Sequence, residues 1–377
     1  MSTLLVVAGE ASGDLHGGEL LRELKARRPG LRIVGVGGER MAPYLDRKLA
    51  DVSELGVVGF VEVLRHLPRI LRLKRDLLAL AREENAEAAL LIDYQSFNLS
   101  LARALRKARP AMRLHQYVCA QVWAWKRGRI PVIGRTFDRL FCLFDFEPPL
   151  FAGLPVEARW VGHPLVEVVK PEVDRETFFR ARGLDPARPL VALLPGSRTG
   201  ELARLLPPLA GLVRAWQRTR PDVQWVLPVA PTLQPEALAP ALKGLPVVLD
   251  TAWTYAPRAH ADAALVCSGT ATLETALLGT PFAVLYRMNP LTLALARRVV
   301  KLPFFGLANV VAGRQVAPEL LQGEVEPGRL GRELESLLDP TRAAAMRAEL
   351  AELRQHLGEP GAAGRVAERV LETLQPG

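Results

Sequence analysis

Cysteine is scarce: Cys119, Cys142 and Cys267 are all that 377 residues contain. They are scattered, form no CxxC pair and leave an odd count. That excludes a disulfide scaffold and points to a reducing compartment without a structural metal. No stretch supplies the roughly 20 uncharged apolar residues that a membrane-crossing helix needs. The opening MSTLLVVAGEASGD has neither a basic leader nor a long apolar core, so no signal peptide is expected. Missing too are HExxH or any other metal-ligand spacing, the GxSxG nucleophile elbow and the GxGxxG dinucleotide fingerprint. Aromatics make up only 6% of the chain and do not interleave with its basic residues, which speaks against nucleic acid as a partner. Short tandem repeats and low-complexity tracts are also absent.

What is present describes a globular protein: 49% hydrophobic and 24% charged residues, with a length that exceeds one ordinary core and predicts two domains. A formal charge of +9 favours anionic partners such as phosphorylated small molecules or an anionic membrane surface.

Near-continuous apolar runs recur along the chain. TLLVVAG, LRIVGVG, AALLID, RLHQYVC, RLFCLF and EARWVG fall in the first half, and PLVALLPG, VQWVLPVA, LPVVLD, DAALVCSG and PFAVLY in the second. Helical stretches separate them, so the fold class is α/β, with parallel strands covered on both faces in two doubly wound domains. The series is interrupted by GHPLVEVVKPEVDRE at 162–176, which sets domains at 1–165 and 166–354. The helices of about 355–377 pack back onto the first domain or onto a second copy in a homodimer.

Ligands of such sheets bind beyond the carboxyl ends of the strands. In the second domain LLPGSRTGE places Gly196, Ser197 and Arg198 at a strand-to-helix turn, where backbone N–H groups and a guanidinium can hold phosphate. A serine N-cap with a solvated arginine gives the same pattern. LVCSGTATLE repeats the device with Ser268, Gly269 and Thr270, and Glu274 one turn further suits ribose hydroxyls as well as it suits a capping box. Arg287 and Met288 follow the next strand, and Asn309 lies in a glycine-flanked loop where turn residues are common.

In the first domain VVAGEASGDLHGG carries Glu10, Ser12 and Asp14 where a dinucleotide would need glycines alone. The acids would repel a pyrophosphate and suit hydroxyl recognition or proton abstraction, although Ser12 or Asp14 can equally cap the helix. Asp93 ends AALLID, where a carboxylate at a strand mouth serves as a general base or as a helix cap. Trp123 and Trp125, in CAQVWAW, wall a pocket or pack beneath a helix, and His163 marks the domain boundary. The segment at 59–82, split by Pro68, and the one at 291–305 mix apolar and basic residues as a membrane-surface helix does, and as a solvated face also does.

Taken in order, AGEASGD, VGFVEVL, VWAW, VGHPL, LLPGSR, SGTATLE, YRMNP and NVVAGR resemble the lipid-A-disaccharide synthases from about residue 4 to 325. The resemblance implies a GT-B glycosyltransferase whose two Rossmann-like domains face a central cleft. It implies transfer of 2,3-diacylglucosamine from its UDP form to 2,3-diacylglucosamine 1-phosphate, with inversion, no metal and no cofactor, at the cytoplasmic side of the inner membrane. Arg198, Glu274 and Asn309 match the family's donor-side positions, and Asp93 and Glu10 its acidic positions near the reacting hydroxyl. Ser96 and Asn98 complete the acceptor-side set. The chain departs from the family pattern at three first-domain places. Tyr94, Gln95 and Ser96 replace APD, Cys119, Ala120 and Gln121 replace SPS, and Asp145 replaces the proline of PFE. These leave open a related transferase with another acceptor. A UDP-N-acetylglucosamine 2-epimerase and a catalytically silent nucleotide-sugar-binding protein are the competing activities.

Overall fold

The computed structural model describes residues 2–52, 60–119, 122–124, 127–230, 233–289 and 303–375. Ala120, Gln121 and Trp125, and parts of both basic apolar segments, lie outside the described residues.

The chain divides into two units, 1–164 with 357–377, and 165–356. The first runs β1 (Thr3–Ala8), α1 (Ala11–Arg27), β2 (Arg32–Val36), β3 (Arg47–Ala50), α2 (Phe60–Glu83), β4 (Ala88–Ile92), α3 (Gln95–Ala108), β5 (Arg113–Tyr117), α4 (Ile130–Thr136), β6 (Arg139–Cys142) and β7 (Glu157–Trp160). Its strands are parallel in the order β3-β2-β1-β4-β5-β6-β7. Every residue of β1 and β4 is buried, as helices on both faces require.

The second unit runs α5 (Leu165–Val168), α6 (Arg175–Arg182), β8 (Leu190–Leu194), α7 (Thr199–Thr219), β9 (Gln224–Pro228), α8 (Ala239–Leu242), β10 (Val247–Asp250), α9 (Ala256–Ala259), β11 (Ala263–Cys267), α10 (Thr270–Leu277), β12 (Phe282–Tyr286), α11 (Leu307–Ala312), β13 (Glu319–Leu321), α12 (Pro327–Leu338) and α13 (Pro340–Leu353). Its parallel order is β10-β9-β8-β11-β12-β13. In each sheet the order reverses once, between β1 and β4 and between β8 and β11. Diverging helices leave the strand ends open at such a reversal.

The last helix, α14 (Ala362–Leu371), belongs to the first unit and packs on α1 with Val366, Ala367 and Val370 buried. Arg365 Nε donates to Val161 O at 2.9 Å, and Arg369 and Arg139 share Glu157 and Glu372.

Two features depart from the sequence reading. The apolar runs omit β3 and β13, because edge strands have one neighbour and partial exposure and need no continuous apolar run. Pro68 does not split the basic segment: α2 continues through it. A proline costs a helix one N–H bond and a local clash. Burial of Leu73, Leu77 and Leu80 in the first unit's core holds α2 in place beyond that point.

Candidate active site

The first reversal carries Asp93. Immediately past β4, Asp93 and Tyr94 adopt left-handed backbone (φ 51° and 39°), and Val118, past the neighbouring β5, has φ 61°. Non-glycine residues held there cost about 1–3 kcal/mol each, most for a β-branched side chain. Two buried amides hold the turns in place. Asn98 Nδ2 donates to the carbonyls of Ile92 (3.1 Å) and Asp93 (2.7 Å). Gln116 Nε2 donates to those of Asp93 (3.1 Å) and Val118 (3.4 Å). The strained turn leaves the Asp93 carboxylate half-exposed, accepting from Ser12 Oγ at 2.8 Å across the β1–β4 reversal. Glycine is required at position 9, where a Cβ would run into the Tyr94 ring. Glu10, the exposed N-cap residue of α1, stands one loop residue further on.

Asp14 does not join this site. It is buried, and its carboxylate accepts from the backbone N–H groups of Gly38 (2.6 Å), Arg40 (3.0 Å) and Met41 (3.2 Å). Its charge is spent closing the loop after β2. Asn98 is likewise a scaffold residue, fully buried under the turn. Ser96 is exposed and accepts from Arg129 Nη1 at 3.2 Å.

Trp123 and His163 are packed rather than open. The Trp123 indole meets Phe144 and Phe146 edge-on, and Phe144 in turn touches the His163 ring at 5.4 Å. Trp123 Nε1 donates to the buried Glu147 at 3.1 Å, which also accepts from the N–H groups of Leu143 and Phe144. Both rings are over nine-tenths buried, so they support the strand-end loops and do not wall an open pocket.

These buried groups make stability depend on pH. Burial pushes His115 and His163 down to about 3, and moves His16 the same way against the pull of Asp93. As pH falls below 6.5 the unfolded chain takes up protons that the fold refuses, so stability drops by about 1.4 kcal/mol per pH unit for each such proton. Burial pushes Glu147 up to about 7 despite its N–H donors, which opposes the loss between 7 and 4.5. Urea midpoints should therefore fall from pH 6.5 to pH 4.5, and more steeply in Glu147→Gln. A flat profile in both proteins would contradict this assignment.

The second reversal carries a cavity of about 320 Å³ lined by Gly196, Ser197, Arg198, Ser268, Gly269, Thr270 and Glu274, together with Glu201, Arg258 and Cys267. The two halves of its rim differ. At α7 the N–H groups expected to hold an anion already have one: Glu201 accepts from Ser197 N (3.0 Å) and Arg198 N (3.3 Å) and pairs with the Arg198 guanidinium (3.1 Å). Gly196, at φ 107°, lies so close that a Cβ would strike that carboxylate. At α10 the turn is built by Gly269, whose φ of 142° no other residue adopts readily. Thr272 Oγ1 donates to Gly269 O at 2.7 Å, and Ser268 Oγ to Phe305 O at 2.6 Å. These bonds aim the first turn of α10 into the cavity, where N–H groups lack intrahelical partners.

Glu274 is held by Arg258 in a largely buried ion pair. Burial first, then the Glu274 charge, pushes the Tyr255 phenol beside them up to about 12. The Cys267 thiol is raised to about 12 by burial, with the Glu201 charge adding to it, and so forms a neutral wall.

Arg287 is exposed and Met288 N donates to Gln322 Oε1 at 3.4 Å; neither lines this cavity. Asn309 overturns its expected setting. It lies on α11, not in a loop, and is fully buried. Its Nδ2 donates to Ala317 O and Glu319 Oε1, both at 2.8 Å, and its Oδ1 accepts from Val316 N and Ala317 N, both at 2.9 Å. A side chain with both ends used inside the protein braces the sheet edge.

Sequence reasoning missed Gln116, Glu201, Arg258 and Glu147. Gln116 had a signal, a polar residue inside the apolar strand RLHQY, and Glu201 another, the third helical position after Arg198. Arg258 had none, because it comes from a separate short helix. Among the described residues no three His, Cys, Asp or Glu side chains converge to hold a metal, and no helix is long and apolar enough to cross a membrane.

The sequence matches the family described as lipid-A-disaccharide synthetase over residues 4–367. It is 43% identical to the lipid-A-disaccharide synthase of Myxococcus xanthus, covering 99% of this chain and 98% of that protein. The Geobacter sulfurreducens enzyme of the same name is 41% identical over 98% of this chain and 97% of its own length. In backbone the chain resembles the UDP-GlcNAc 2-epimerase of Neisseria meningitidis bound to UDP-GlcNAc, with TM-score 0.65, 12% identity and 99% and 100% of the two chains covered. It also resembles the calicheamicin glycosyltransferase CalG4, with TM-score 0.63, 16% identity and 99% and 98% covered. At those identities the structural likenesses establish the GT-B-type fold alone. The sequence match over nearly the whole length does more: this chain belongs to the lipid-A-disaccharide synthase family.

Proposed function

We propose that the protein transfers 2,3-diacylglucosamine from its UDP form to the 6-hydroxyl of 2,3-diacylglucosamine 1-phosphate, giving a β-1,6 disaccharide with inversion. The observation that carries this reading is the strained turn that holds Asp93 half-exposed at a sheet reversal. An amide staple maintained against about 1–3 kcal/mol of strain per residue supports a catalytic role for the carboxylate. In this mechanism Asp93 takes the proton from the acceptor hydroxyl as its oxygen attacks the anomeric carbon and UDP departs from the opposite face. Ser12 fixes the carboxylate by donating to one oxygen, and Glu10 adds a second negative charge near the incoming hydroxyl.

The leaving diphosphate is received by the first turn of α10 and by Arg198. For the guanidinium to grip phosphate, its pairing with Glu201 has to open. Glu274, steadied by Arg258, accepts from the ribose hydroxyls. The reaction draws on no cofactor and no metal. Leu67 and Leu71, 43% and 53% exposed on α2 beside Arg72 and Arg75, support peripheral contact with an anionic membrane.

Short-chain forms of donor and acceptor test the proposal through UDP release and product mass. One UDP should appear for each phosphorylated disaccharide. Conversion of UDP-N-acetylglucosamine without any acceptor would replace the transferase by an epimerase. Product with a different lipid acceptor only would retain the chemistry and refute the substrate.

A further inference from the structure

A cavity of the first unit, about 530 Å³, runs along one face of α3 and has been given no role in the mechanism above. Ser96, Leu99, Ser100, Arg103, Ala104 and Lys107 follow the helical repeat along its floor, and Lys74 of α2 with Arg129 and Val132 form its sides. The floor extends about 16 Å at 1.5 Å per residue and starts one turn from Asp93.

Its charge is unbalanced. Four cations line it with no acidic residue. Elsewhere in the chain arginines commonly meet carboxylates, as at Arg32–Glu84, Arg106–Asp138 and Arg182–Asp250. Among the described residues none of these four has a carboxylate within ion-pair distance. The only acceptors met by Lys74 and Arg129 there are hydroxyls: Lys74 Nζ donates to Ser100 Oγ at 2.8 Å and Arg129 Nη1 to Ser96 Oγ at 3.2 Å. Cations clustered without counter-charge raise one another's energy, and a doubly charged oxyanion relieves all of them together. A hydroxyl can turn to donate once an anion takes over its cation.

We propose that this groove binds the phosphomonoester of the glycolipid acceptor, with Arg129 and Arg103 as the principal contacts and Lys74 and Lys107 supplying field. The inference rests on the acceptor named above. It adds the means by which the enzyme tells a sugar 1-phosphate from the same sugar without it. A phosphate anchored on α3 orients the pyranose ring so that its 6-hydroxyl reaches Asp93, while Leu99 and Val132 offer apolar surface beside the bound phosphate. The four residues are specificity and positioning residues; none takes part in bond making.

The test compares short-chain 2,3-diacylglucosamine 1-phosphate with its dephosphorylated form in the full-length protein. The parent should show KM at least about 10-fold lower for the phosphorylated acceptor, as charge-assisted hydrogen bonds provide. Arg129→Gln and Arg103→Gln should each remove most of that preference, with donor KM unmoved, and Arg129→Lys should restore part of it. Equal loss on both acceptors, or a preference that survives both glutamine variants, would overturn the subsite. Calorimetric binding of the phosphorylated acceptor, without donor, reads the groove independently of turnover. Binding that weakens about 10-fold in Arg129→Gln keeps the subsite even if the parent makes no disaccharide, in which case the proposed reaction fails alone. Anionic phosphatidylglycerol vesicles form the last arm. Variants that lose vesicle binding yet bind the soluble phosphosugar as the parent does would make the groove a membrane contact and refute the proposal.

Discussion

Asp93→Asn should lower turnover at saturating donor and acceptor by about 100- to 10,000-fold, the span for loss of a positioned general base, while UDP still binds as tightly as to the parent. The scaffold explains why the loss should be chemical. The bonds that hold the turn run from Asn98 and Gln116 to main-chain carbonyls, so none uses the carboxylate. The Asn oxygen can still accept from Ser12, which leaves geometry in place and removes basicity alone. A thermal midpoint close to the parent's, together with calorimetric UDP binding, separates this outcome from misfolding. Glu10→Gln should cost less, because Glu10 stands on the exposed N-cap of α1 without the strained support given to Asp93. Undiminished turnover in Asp93→Asn would remove the residue from the mechanism.

Asn309→Ala should have the largest effect on stability. It strips four hydrogen bonds from a fully buried position and leaves the N–H groups of Val316 and Ala317 without their acceptor. Buried unsatisfied groups cost about 1–3 kcal/mol each, so a total near 3–5 kcal/mol takes a large share of the 5–15 kcal/mol typical of a folded domain. Glu319 is implicated as well, since it receives the N–H groups of Phe305 and Gly306 besides the Asn309 amide. A midpoint lowered by roughly 10 °C is expected for a unit of this size. The motif resemblance implies a donor-side place for Asn309; a variant that keeps its midpoint and loses UDP affinity would favour that direct role.

How far the sequence was legible depended on the range of each cause. Parallel, doubly wound sheets followed from fully buried strands, because burial on both faces writes itself into consecutive residues. The place of Asp93 at a strand mouth was legible because it ends the apolar run AALLI, and strand termini are where such sheets receive ligands. The strain at Asp93, Tyr94 and Val118 was not, since nothing in DY or YV announces a left-handed turn held from a distance by Asn98 and Gln116. The surroundings of Asp14 and Asn309 were hidden for the same reason: their partners lie on other segments. Glu201 was the closer miss. A glutamate at the third helical position is a familiar local cap, and it occupies the anion position of α7 that the PGSR motif by itself offers to phosphate.

The return of α14 to the first unit bears on how the molecule is made. Residues 165–356 form a unit of their own, so on the ribosome they emerge and can fold while the unit begun before them still lacks its closing helix. Until Arg365 and Arg369 arrive, the α1 surface that α14 covers and the carbonyl of Val161 face water, and Arg139 has only part of its acidic company. The first unit is thus completed after the second, although its sheet is synthesised before it. Late, sequence-distant closure of this kind is slow and leaves apolar surface open to chaperones.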